Sequence, residues 1–102
     1  MTITKENQDD GALVTVEGAL SIYEAAALHQ RLLEGFRNDA AEVVLDLSRV
    51  DECDTAGVQL LCSARRTATR SGKPLRIHGS SEAVTEAILA LGLAVEEILK
   101  TG

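Results

Sequence analysis

The chain has 102 residues, 45% of them hydrophobic, which is enough for one compact core and too little for two, so 1–102 is expected to be a single domain. Ten basic against sixteen acidic residues leave a net charge of −6, which opposes approach to a phosphate backbone or an anionic membrane surface. With Tyr23 and Phe36 as its two aromatics the chain also lacks the stacking surfaces of single-strand binders, and nucleic acid is not an expected partner.

The N-terminal "MTITKENQDD" lacks the apolar stretch of a signal peptide, and no later apolar run reaches the length of a membrane span. A cytoplasmic protein without direct membrane insertion is expected. "ALVTVEG", Ala12 to Gly18, alternates Leu13, Thr15 and Glu17 on one side with Val14 and Val16 on the other, which predicts a strand. "MTIT" is its short partner across the "NQDDGA" turn, forming a hairpin. Ser21 and Glu24 then form an S-x-x-E capping box, and Ala25, Leu28, Leu32 and Phe36 follow at helical spacing up to the "RND" break. "VVLDL", Val43 to Leu47, is a nearly continuous aliphatic run and predicts a strand buried on both faces.

A second helix is predicted from about Thr55 to Arg70, with Val58, Leu61 and Cys62 in its apolar period, a glycine stop at Gly72 and Pro74 just beyond. "PLRIHG" is a further strand. "SSEAVTEAILALGL" is a third helix, opened by serine caps and closed by Gly92. The tail "AVEEILK" fits either a final strand or a helical turn. Strands alternating with helices after a hairpin predict an α/β fold, a mixed β-sheet with helices packed against it.

"DECDTAG", Asp51 to Gly57, is read as the loop that leaves the carboxyl end of a strand and enters a helix, the place where unpaired backbone N–H groups gather. Asp54 suits the N-cap and Thr55 the first helical position. Ala56 and Gly57 have little or no side chain, which lets another surface approach the Thr55 hydroxyl; the competing reading is that Gly57 only permits tight packing on the sheet. No histidine or lysine stands nearby in the sequence to activate Thr55 as a nucleophile. Gly72-Lys73 runs into proline with no Ser or Thr after the lysine, so it is not a phosphate-cradling loop. Cys53 and Cys62, nine positions apart, and His29 and His78 show no metal-ligand spacing, so neither metal nor cofactor is expected. Cys62 reads as a small core residue. Cys53 lies where a helix start could activate a thiol, but the surrounding acids oppose its ionisation.

"VVLDLSRVDECDTAGVQLL" followed by "GKPLRIHGSSEAVTEAILALGL" resembles the STAS domain, the family of sulphate-transporter cytoplasmic domains and bacterial anti-sigma factor antagonists. The likeness spans Ala12 to the Leu93 region and centres on strand–D-[ST]-x-G–helix, here Asp54, Thr55, Ala56 and Gly57. The resemblance implies a single STAS-like domain that is not an enzyme and acts in signal transduction and transcription regulation. It implies phosphorylation of Thr55 by a partner protein kinase, with the adjacent acidic role on Asp54. The docking surface expected from it is the start of helix two: Asp54, Thr55, Ala56, Gly57, Val58 and Gln59. The implied partners are an anti-sigma factor with serine/threonine kinase activity and a phosphatase. Because threonine at this position also occurs in the STAS component of bacterial phospholipid-transport ABC systems, the alternative is an accessory subunit that binds the transporter ATPase.

Overall fold

A computed structural model describes residues 2–8, 11–37 and 42–99. In chain order these form β1 (Thr2–Gln8), β2 (Gly11–Leu20), α1 (Ile22–Arg37), β3 (Glu42–Cys53), α2 (Thr55–Ser71), β4 (Leu75–Ser80), α3 (Glu82–Ala90) and the single turn α4 (Val95–Ile98). The predicted hairpin is present: β1 pairs with β2 antiparallel, from Thr2 opposite Glu17 to Gln8 opposite Gly11. The residues predicted for its turn include Asp9 and Asp10, which lie outside the described residues, as do Asn38 and Asp39 of the "RND" break and the side chain of Phe36.

The sheet order is β1-β2-β3-β4, with β2, β3 and β4 parallel, so the sheet is mixed as expected. Parallel neighbours need crossovers, and α1 and α2 supply them. Because the strand order advances in one direction and such crossovers are right-handed, both helices fall on the same face of the sheet. Val14, Val16 and Leu20 of β2, Val43, Leu45 and Leu47 of β3, and Leu75 and Ile77 of β4 are buried beneath Leu28 and Leu32 of α1, Val58, Leu61 and Ala64 of α2, and Val84 and Ile88 of α3. Each fully buried aliphatic side chain contributes about 1.5–3 kcal/mol relative to exposure.

One-sided cover corrects the expectation for "VVLDL". Val43, Leu45 and Leu47 are buried, but Val44 and Asp46 between them turn to the other face and are only partly covered. Asp46 stays solvated there. Its carboxylate accepts from the Ser48 hydroxyl at 2.7 Å and the Ser48 N–H at 2.9 Å. Partial burial pushes its pKa up, but those two bonds, with His78 and Arg49 nearby, outweigh it and leave the pKa below the ordinary value.

The second correction is that β3 is longer than the aliphatic run. Register shifts between Thr15 and Glu17 and between Gly18 and Ala19 let β2 and β3 stay paired until Leu20 faces Cys53. Asp51 to Cys53 are therefore strand residues, and the predicted loop shrinks to Asp54 alone. At the far end of the chain Ser81 caps α3, its hydroxyl accepting from the Val84 N–H at 3.3 Å. Gly92, in the left-handed conformation, closes that helix. The ambiguous tail is the helical turn α4, docked by Arg65, whose Nε donates to the Ile98 carbonyl at 2.7 Å.

Candidate partner-binding site

Because β2 and β3 end side by side, α1 and α2 also begin side by side, and Asp54 lies between them. Its own N–H donates to the Leu20 carbonyl at 3.2 Å, which ties the two strand ends together. One carboxylate oxygen accepts from the Gly57 N–H at 3.0 Å, the N-cap bond the sequence predicts. The other accepts from the Ile22 N–H at 3.1 Å, so the same side chain also holds the start of α1. This bond replaces the predicted Ser21–Glu24 capping box. At that helix start the Ser21 carbonyl accepts from the Glu24 and Ala25 N–H groups, and the orphan Ile22 donor goes to Asp54.

Gly57 faces the sheet. A Cβ built on it would lie 2.8 Å from the Leu20 carbonyl oxygen and 2.9 Å from both the Cys53 Sγ and the Leu20 Cγ. Glycine is therefore present so that α2 can approach the ends of β2 and β3, which is the packing reading. Val58 beside it is also buried. Of the six residues expected to meet a partner, Asp54, Thr55 and Gln59 are exposed and Ala56 is half-buried, while Gly57 and Val58 shape the surface from beneath. Half-burial, and then the Asp54 charge, push the Cys53 thiol up to about 11. Its Sγ lies 3.6 Å from the Asp54 carbonyl as a weak donor. A thiol so placed stays protonated at neutral pH and acts as packing, not as a nucleophile.

Thr55 lies on the rim of an open groove of about 730 Å³ between α1, α2 and the turn after α3. Ile22, Leu91 and Leu93 wall it with apolar surface, and Ile22 is 65% exposed. Exposed apolar side chains clustered beside polar helix starts mark a surface suited to another protein. Sequence reasoning did not find these walls, because they come from two segments far apart in the chain. Cys62, expected in the core, is half-buried and lines the same groove, as does His29. No hydrogen bond joins the His29 ring to the Thr55 hydroxyl, the contact that general-base activation uses. Among the described residues no three His, Cys, Asp or Glu side chains are grouped to hold a metal ion, and no helix is long and apolar enough to cross a membrane.

Residues 3–100 match the family model described as Mlab, STAS domain. The chain belongs to the STAS domain family. Among solved structures it is similar to an anti-sigma factor antagonist from Mycobacterium paratuberculosis, with 20% identity and a TM-score of 0.79 over 97% of this chain and 82% of that one. It is also similar to the STAS domain of an antisigma-factor antagonist from Rhodobacter sphaeroides, with 28% identity and a TM-score of 0.66 over 84% and 89% of the two chains. A third likeness, to Mglu, has 25% identity and a TM-score of 0.67 and covers 74% of this chain but only 19% of that one.

Proposed function

We propose that this chain is a non-catalytic, phospho-regulated protein-binding switch of the anti-sigma factor antagonist type, acting in the cytoplasm of a bacterium, with Thr55 the residue modified by a partner kinase. The observation that carries the reading is the position of Thr55: exposed, first in α2, and on the rim of an apolar groove. The likeness to the Rhodobacter sphaeroides antagonist over most of both chains supports it. Unmodified Thr55, with Asp54, Ala56 and Gln59 around it, docks an anti-sigma factor that has serine/threonine kinase activity, and a phosphatase resets the modified form.

The switch follows from charge. A phosphate on Thr55 adds roughly −1.5 to −2 at neutral pH. The N–H groups of Thr55 and Ala56 have no carbonyl four residues back inside the helix, so the free protein tolerates an anion there. In a packed interface the same phosphate meets Asp51, Glu52 and Asp54 and has to be desolvated, so the modified form loses its partner while staying folded. The test is calorimetric titration of the parent, Thr55→Ala and Thr55→Glu chains against the purified anti-sigma kinase. Parent and Thr55→Ala are expected to bind and Thr55→Glu to bind weakly; equal affinity for all three removes Thr55 from the mechanism.

One observation favours a second reading, in which the same surface packs constitutively on the ATPase of a phospholipid-transport ABC complex: the matching family model is that of the Mlab STAS domains. Co-purification separates the two, since a stable complex with an ABC ATPase and none with an anti-sigma kinase selects the second.

A further inference from the structure

Part of the chain's positive charge is gathered in one place. Of its ten Lys and Arg residues, Arg65, Arg66, Arg70 and Lys73 line a single open cleft of about 670 Å³, formed by the second half of α2, the start of β4 and α4. That volume lies in the range of small-ligand sites, about 300–1,000 Å³. Among the described residues Glu97 is the one acid lining it.

An ordinary solvated basic face on a helix is laced with acids one turn away. None of the 17 residues of α2 is acidic. Arg66 and Arg70 stand one turn apart as like charges, which oppose each other, and neither has an ion-pair partner among the described residues. The helix dipole explains one cation in the last turn, Arg70, but not Arg66 a turn earlier. Gly72, left-handed at φ 70°, turns the chain so that Lys73 joins the same cleft. Arg65 is fixed beside them: its Nε donates to the Ile98 carbonyl at 2.7 Å and its Nη1 to the Leu75 carbonyl at 3.2 Å. Half-burial lowers its pKa, yet a guanidinium stays charged throughout the working range.

We propose that this cleft is a binding site for a phosphate-bearing ligand, with Arg66 and Arg70 meeting the phosphate and Arg65 and Lys73 adding charge beside it. Paired guanidinium forks are suited to the oxygens of a phosphoryl group. The cleft lies toward the opposite end of α2 from Thr55, with Arg66 bordering both it and the groove that Thr55 rims, and direct phosphate binding does not depend on the function proposed for Thr55.

Sodium pyrophosphate titrated into the ¹⁵N-labelled chain at constant ionic strength is the direct test, read by the backbone amides of 65–75. Saturable shifts confined to this segment and α4 are expected. The Arg66→Gln/Arg70→Gln double variant should weaken binding by about tenfold or more. Glu97→Gln removes the opposing charge and should tighten it by about two- to threefold, a readout that survives even if the double variant does not fold. Sedimentation with phosphatidylglycerol against phosphatidylcholine vesicles distinguishes the source: binding to phosphatidylglycerol without saturable pyrophosphate binding assigns a lipid headgroup, and the reverse assigns a free phosphate. Absence of binding in both arms, or pyrophosphate shifts spread equally to Arg31, Arg49 and Arg76, overturns the proposal.

Discussion

The two ends of α2 each depend on a glycine, for opposite reasons. At Gly57, in the first turn, the backbone is ordinary helix and the space is lacking, with the Leu20 carbonyl and the Cys53 sulfur in the way of any side chain. At Gly72 the space is open, with nothing within 4 Å, and the backbone is the constraint: φ is 70°, and the cap N–H reaches the Ala68 and Thr69 carbonyls. The first end is therefore held by tertiary contact that includes Leu20, more than 30 residues away in the chain, and the second by the local geometry of a helix stop. Substitutions at the first should disturb the whole molecule and those at the second only the local turn.

The largest effect should come from Gly57→Leu. Overpacking against backbone that cannot yield is expected to cost about 3 kcal/mol and lower the melting temperature by more than about 10 °C. An unchanged melting curve by circular dichroism would break the contrast at its root. Next, Asp54→Ala removes acceptors from the starts of two helices, and a loss of about 2 kcal/mol in denaturant unfolding is expected. Asp54→Asn keeps one carbonyl oxygen, so it should lose about half as much; equal losses would mean that charge and not the pair of bonds matters. At the other end Gly72→Ala should cost only about 1 kcal/mol, the strain of a left-handed alanine. A cost matching that of Gly57→Leu would show hidden packing at the cap.

The smallest effect is a pH dependence that the first end has through Cys53. The thiol is raised from 9.0 to about 11 in the folded chain, so the unfolded chain ionises first. Its contribution to stability is complete below pH 9 and disappears as pH rises through about 11. Unfolding compared at about pH 8 and about pH 10.5 should show this slope in the parent and a shallower one in Cys53→Ala.

What the sequence revealed and what it hid divide along the same line. Asp54 as N-cap, Thr55 as first helical residue, Gly72 as the stop and Ser81 as a cap were readable, because each is decided by neighbours within a turn. The α2 boundaries differed from expectation by one residue, and the mixed sheet followed from element order. The bond from the Ile22 N–H to Asp54 spans 32 residues and has no local signature. The same holds for the groove walls Ile22, Leu91 and Leu93, and for the direction in which Gly57 faces. Asp51 to Cys53 looked like loop because polar residues normally end strands; strand pairing after the register shifts carried β3 through them. The double burial expected of Val44 and Asp46 failed because a short aliphatic run does not report how many faces of a sheet are covered.

The double grip of Asp54 also bears on how this sequence can drift over time. An aspartate that joins two helix starts is under selection for folding whether or not it also meets a partner, so it should persist in descendants that have abandoned that partner. Thr55, exposed and without a hydrogen bond of its own side chain, has no such protection and should be replaced freely once regulation is lost. In related genomes, retention of the aspartate would thus report only that the fold survives, while the hydroxyl beside it would trace the history of the switch.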